Sequence, residues 1–267
     1  MIKSNQKFNE RSALIIGGSS GIGKSIANHL ASQGYKICII SSNPKKLEAA
    51  ILDISKKYSH TDIHSVVADI SNIDQLSNGI EIANQRLGKI DILINNGGGP
   101  KFSSFDQLKL SDWDNSINLL LKSVIFSTTK LSKSMAERGW GRIITITSTV
   151  ANEPSSGMVM SATLRAAVSA FMKSISIQLA NNGVTVNILS PGGVLTERVN
   201  ELINQRAKIE NKSTSEIMEE SKNSIPIGRL ANPEELASYV QFLCSEEASY
   251  ITGTILNIDG GLSKSVF

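Results

Sequence analysis

Seven short apolar runs punctuate this sequence: ALIIGG, KICIIS, IHSVVAD, IDILINN, RIITITS, VTVNILS and TILNID. Each is followed by a turn signal and a helix-like stretch. Continuous β-branched runs of this length suit strands that are covered on both faces. Strands that alternate with helices pair in parallel, because every crossover carries a helix back over the sheet. The pattern predicts an α/β fold with a doubly wound parallel sheet of about seven strands. The helices fall at about 21–33, 44–57, 72–87, 111–137, 161–182 and 232–247. No Pro/Gly-rich linker, internal repeat or low-complexity tract interrupts the alternation, so residues 1–267 read as one domain. At 40% hydrophobic and 19% charged residues, the chain can bury one large core.

Composition narrows the function classes. The net charge of +3 is small and the lysines are scattered, so the concentrated basic patch that nucleic acid requires is not expected. Cys38 and Cys244 lie far apart, and Cys38 falls inside the apolar run ICII. Buried thiols are expected, not a disulfide or a metal clip. His29, His60 and His64 do not form a metal-ligand cluster, and structural or surface roles are expected for them, with no metal site. The amino-terminal MIKSNQKFNERS lacks the apolar stretch of a signal peptide. No apolar run approaches the roughly 18 residues that span a bilayer. A soluble, cytoplasmic protein without a membrane partner is the expectation. Residues 195–226 stand apart as polar, charge-rich and helical in tendency. Lying between the sixth and seventh strands, they read as a substrate lid over the carboxyl ends of the strands, or as a solvated helical excursion.

The first strand runs into IIGGSSGIGKSIANHLASQG, where Gly17, Gly21 and Gly23 stand in a G-x-x-x-G-x-G spacing at a strand-to-helix turn. Glycines let backbone approach a pyrophosphate closely, and the amides that open the helix favour its negative charge. Four further motifs follow in order: VAD at 67–69, INNGG at 94–98, PGGVLT at 191–196, and the ending GRLANPEELASYVQFLCSEEASYITGTILNIDGG. Together they closely resemble the short-chain dehydrogenase/reductase family over nearly the whole chain, and in the ending its β-ketoacyl-carrier-protein reductase branch. Ile16 stands where the family's glycine loop carries threonine. The resemblance implies a single-domain Rossmann fold and a nicotinamide dinucleotide. It assigns cofactor contacts to Gly17, Ser19, Ser20, Gly21, Ile22, Gly23, Ser42, Asp69, Ile70, Asn95, Gly97, Pro191, Gly192 and Thr196. It also implies a homodimer or homotetramer built on the helices at 111–137 and 161–182. Asp69 reads alternatively as a helix cap ahead of SNID. At the end of the second strand stand Ser41, Ser42 and Asn43, then Lys45 and Lys46, with no acidic residue. A 2′-phosphate meets no repulsion there, which favours NADP(H) over NAD(H). The two lysines could equally face solvent on the next helix.

The stretch SSGMVMSATLRAAV, residues 155–168, departs from the family. The resemblance implies a serine that fixes the substrate carbonyl, a tyrosine that passes the proton, a lysine four residues later and an asparagine in a water relay. Ser148, in RIITITST, and Asn118, after WDNSI, match the serine and the asparagine. Where tyrosine and lysine belong stand Ser161 and Arg165, and no tyrosine occurs between Tyr58 and Tyr239. An aliphatic hydroxyl is a far poorer acid than a phenol and shorter by a ring. A guanidinium stays protonated and donates hydrogen bonds, so Arg165 can hold ribose hydroxyls or an anion without shuttling a proton. With NNGGGP and GWGRII, the S-x-x-x-R pattern resembles a less typical branch with an imperfect catalytic tetrad.

Three readings follow. The chain is an NADP(H)-dependent reductase of a 3-oxoacyl-thioester-like or other small carbonyl substrate, with Ser148, Asn118, Ser161 and Arg165 at the reacting end. Alternatively it is a non-catalytic cofactor-binding or heteromeric partner subunit. A third reading has altered chemistry, with Arg165 as an anion clamp and Glu153 or Lys101 as acid or base. On a bland reading of the same stretch, Ser161 only caps its helix and Arg165 only anchors a loop.

Overall fold

The computed structural model describes residues 11–59, 61–100 and 102–266. His60, Lys101 and the polar stretch up to residue 10 lie outside the described residues. In chain order, β1 (Ser12–Ile16) leads into α1 (Gly21–Ser32), β2 (Lys36–Ser41) into α2 (Pro44–Lys57), and β3 (Ile63–Val67) into α3 (Ile73–Leu87). Then β4 (Ile92–Asn95) leads into α4 (Leu110–Ile117) and α5 (Ser123–Glu137), and β5 (Gly141–Ile146) into α6 (Val159–Leu179). After β6 (Val184–Pro191) come α7 (Glu197–Glu210), α8 (Thr214–Asn223), α9 (Pro233–Leu243) and the last strand, β7 (Ile255–Ile258).

All seven strands pair in parallel, in the order β3-β2-β1-β4-β5-β6-β7. The chain winds outward from β1 to β3 and restarts from β4 on β1's other side. The winding direction therefore reverses between β1 and β4, and the crossovers leave a crevice above the carboxyl ends of the strands. Side chains alternate across each strand. Leu14 and Ile16 of β1 join the core layer under α3, α5 and α6, while Ala13 and Ile15 join the layer under α1 and α9. The sheet is thus sealed on both faces. The two edge strands are the exceptions: β7 has only half-buried or exposed side chains, and in β3 only Val66 is buried.

The stretch expected as one helix over 111–137 is interrupted. Between α4 and α5 lies a π turn at Asn118–Lys122, in which Ser123 N donates to Asn118 O. The Ser123 hydroxyl also donates to Leu119 O at 2.5 Å. A single wide turn of this kind leaves no mark on hydrophobic periodicity.

Residues 195–226 contain α7 and α8, which close over a small apolar cluster of Ile203, Ala207 and Ile217, separate from the two main core layers. Among the described residues no helix is long and apolar enough to cross a membrane. No group of three His, Cys, Asp or Glu side chains among them could hold a metal ion. Cys38 and Cys244 are buried free thiols, and burial pushes each up to about 12. His29 is tied to Ser25 O and Ser238, and His64 sits against Asp62.

Candidate functional site

The crevice is a cleft of about 460 Å³. Its floor is the turn from β1 into α1. Gly17 has φ +74°, and a Cβ there would stand 1.9 Å from Asn96 O, so only glycine lets this turn pack against the β4 loop. A Cβ on Gly23 would stand 2.2 Å from Gly17 O. Gly23 therefore supports the cradle from behind and does not line the cleft. Ser19, Ser20, Gly21 and Ile22 line it directly. Ser20 caps α1 without a side-chain bond, and the first turn of α1 carries no acidic residue. The free amides at that end offer a ready site for a pyrophosphate. Opposite lie Pro191 and Gly192 at the end of β6, with Thr196, whose Oγ1 accepts from Val199 N at 3.3 Å to open α7.

One end of the cleft suits an adenosine. Ser41 and Ser42 stand at the end of β2, with 2.7 Å between the Ser41 and Ser19 hydroxyls. Lys46 lines the same end and pairs with Glu197 of α7, whereas Lys45 is exposed on α2 outside the cleft. Asp69 and Ile70, beyond β3, also line it. Asp69 is not the cap of α3: Asn72 is, accepting from Asp74 N and Gln75 N. Instead the Asp69 carboxylate accepts from Ser71 N at 2.9 Å and the Ser71 hydroxyl at 2.8 Å, which shapes the loop. Two hydroxyls and an ammonium at the end of β2, with no carboxylate on that strand end, fit a 2′-phosphate. The glycine cradle and the cleft dimensions fit a dinucleotide.

The reacting end lies above β4, β5 and α6. Ser148 follows β5, and its Oγ accepts from Val150 N at 3.4 Å. Ser161, buried in the first turn of α6, is not the helix cap, a position held by Met158. Its Oγ accepts from Arg165 Nε at 3.2 Å. Arg165 Nη1 donates to Ile146 O at 3.1 Å and to Thr147 O at 2.9 Å, and Nη2 donates to Gly98 O at 3.3 Å. Arg165 thus anchors the loops after β4 and β5, and one N–H on Nη2 is left for a ligand. Burial, and then the charge of Arg198, lower the Arg165 guanidinium to about 10, so it remains charged at neutral pH. None of Tyr35, Tyr58, Tyr239 and Tyr250 lines the cleft.

Besides Gly23, three expected site residues fall elsewhere. Asn95 is buried beneath the cleft, where its amide donates to Thr128 Oγ1 and Thr145 Oγ1, both at 3.2 Å, and its oxygen accepts from Ser127. It is the last residue of β4, and alternation turns it into the core. Its neighbour Asn96 lines the cleft and donates to Gly17 O at 2.9 Å. Asn118 opens the π turn but is not in the wall, where Leu119 stands. Glu153 also lies outside. Its carboxylate accepts from Lys264 N and Ser265 N, both at 2.7 Å, and those donors hold it below its ordinary range, which suits a tether and not an acid. Gly97 does line the cleft. Sequence reasoning missed Asn96, Thr147 and Arg198. For Asn96 the period-two pattern of IDILINN was the available signal.

Residues 17–263 match the family model described as enoyl-(acyl carrier protein) reductase. The chain is 34% identical over 261 residues to the NADPH-dependent reductase BacG of Bacillus subtilis, covering 97% of this chain and 100% of that one. It is 32% identical to the 3-oxoacyl-[acyl-carrier-protein] reductase FabG of Aquifex aeolicus, covering 96% and 98%. Among solved structures, an NADPH-bound short chain oxidoreductase of Pseudomonas aeruginosa PAO1, described as containing an atypical catalytic center, is similar. It superposes with a TM-score of 0.86 at 27% identity, covering 97% of this chain and 98% of that one.

Proposed function

The chain belongs to the short-chain dehydrogenase/reductase family, close to its 3-oxoacyl-[acyl-carrier-protein] reductase branch, and from that membership we propose that it reduces a small carbonyl compound with NADPH. The observation that carries the reading is the joining of a glycine cradle, a serine-lined adenosine end and Ser148 in one cleft. The cradle amides and Ser20 would hold the pyrophosphate. Ser41, Ser42 and Lys46 would take the 2′-phosphate, in keeping with the NADPH named for the relatives. When bound, NADPH would supply the hydride for the carbonyl carbon, with the C=O π electrons going to the oxygen.

Ser148 is assigned to hold that oxygen by a hydrogen bond. The spare N–H of Arg165 is assigned to stabilise the developing alkoxide or to fix the cofactor ribose, acting as a fixed charge. A solvent water is assigned to supply the proton, since Ser161 is too weak an acid. Helices α7 and α8 are assigned as the substrate lid that excludes bulk water.

The test is NADPH oxidation followed at 25 °C with a panel of oxoacyl thioesters, oxo acids, quinones and aldehydes. Turnover of any member supports the reading, and NADPH binding without turnover of any member overturns it. The absence of a phenol from the cleft favours a second reading, a subunit that holds the dinucleotide beside an active partner, and that outcome would support it.

A homodimer or homotetramer is proposed on the faces of α5 and α6, where Ile125 and Ile177 are 37% and 71% exposed. Light scattering should give two or four times 28.7 kDa. A cytoplasmic location, where NADPH is available, belongs to the same proposal.

A further inference from the structure

Two guanidinium groups flank the turn at Gly98, Gly99 and Pro100. Arg165 reaches it from α6 through its bond to Gly98 O, and Arg198, in the first turn of α7, donates from Nη2 to Pro100 O. Both line the cleft. A Cβ on Gly99 would stand 3.1 Å from Arg198 Nε and 3.2 Å from Nη2. A side chain there would need that guanidinium, the far end of a flexible chain, to give by a few tenths of an ångström.

The two guanidiniums differ in what compensates them. Arg198 Nη1 donates to the Glu201 carboxylate at 3.3 Å, which also lines the cleft but is 61% exposed, and a pair so solvated contributes little. The acceptors described for Arg165 are all neutral. Of the other acids in the cleft, Glu197 is paired with Lys46, and Asp69 is bonded to Ser71 at the adenosine end. Arg198 is near enough for its charge to depress the Arg165 guanidinium. An anion entering here would relieve that repulsion. A substrate carboxylate would take the place of Glu201 on Arg198 Nη1, beside the spare N–H of Arg165 Nη2.

We propose that the substrate is an oxo acid whose free carboxylate is held by Arg198, beside the charge of Arg165, while Ser148 takes the carbonyl. This rests on the reductase reading and adds the substrate class to it. Arg198 is a specificity-determining residue in this scheme.

The test uses short 2-, 3- and 4-oxo acids against the methyl esters of the same compounds. Affinity is measured by calorimetry on the NADP⁺-loaded protein, and turnover is measured with NADPH. At least one oxo acid should bind about 10- to 100-fold more tightly than its ester. The acid-over-ester ratio should fall with ionic strength. It should collapse in Arg198→Gln and survive in part in Arg198→Lys. Equal affinity for acid and ester throughout, or a preference that persists in a folded Arg198→Gln variant, overturns the proposal. Ester turnover equal to acid turnover overturns it and leaves the reductase reading standing. An acid preference in binding with no turnover supports the anion site and removes the reductase reading.

Discussion

Arg165 contributes to both structure and chemistry, and its bonds separate the two. Removing its side chain in Arg165→Ala leaves Ile146 O, Thr147 O and Gly98 O without this donor. The expected cost is about 1–3 kcal/mol in a denaturant titration, with weaker NADPH binding in the same variant. Restoring the acid half by the pair Ser161→Tyr and Arg165→Lys places a phenol beside an ammonium. Because general acid catalysis contributes about 10²- to 10⁴-fold, kcat for a carbonyl substrate should rise by at least about 10²-fold. Unchanged kcat in the folded pair would mean that proton delivery is not what limits the chain. At this scale the register of Ser148, Ser161 and Arg165 was legible, because the resemblance to the family sets the interval from Ser148 after β5 to Ser161 and Arg165 on α6. The partners of Arg165 were not, since its acceptors lie on loops after β4 and β5, far away in sequence.

At the scale of elements, α7 and α8 rest on the small cluster of Ile203, Ala207 and Ile217 and on a surface network of Arg206, Glu210, Lys212 and Glu220. So little burial predicts easy local opening. Amide exchange in residues 197–223 should be faster than in β1, β4 and β5, and NADPH should slow it. No change on adding NADPH would remove the lid assignment. The start of α9 makes a pH prediction. Glu235 receives two bonds from Arg229 at 2.7 Å and one from Asn232 N at 2.8 Å. Arg229 first, and then that amide, lower the carboxyl from an ordinary 4.5 to about 2. A carboxyl depressed in the folded state stabilises it above the ordinary range, and that stabilisation is lost as pH falls through the folded value. Glu235→Gln should therefore melt below the wild type at pH 7, with the gap closing as pH falls from 4.5 toward 2. The helices and strands were legible from periodicity. The π turn was not, because one wide turn within a continuous helical stretch leaves no mark on hydrophobic spacing.

For the whole molecule, the site exists only where the winding of the sheet reverses, between β1 and β4, so cofactor binding should be linked to global stability. At 100 times its Kd, NADPH should stabilise the fold by about 2.7 kcal/mol, and NADH at the same concentration by less. An equal shift in melting temperature with both would count against the 2′-phosphate reading of Ser41, Ser42 and Lys46. The sequence by itself determined the parallel α/β architecture, the glycine cradle and the departure at Ser161 and Arg165, because each is written in local spacing and side-chain chemistry. Only the tertiary structure decided that Asn96 and not Asn95 faces the cleft, that Glu153 is tied to the carboxyl-terminal segment, and that Arg198 comes beside Arg165. Those outcomes depend on strand register and on loops meeting across the top of the sheet, where residues about 100 positions apart become neighbours, as Arg198 and Pro100 do.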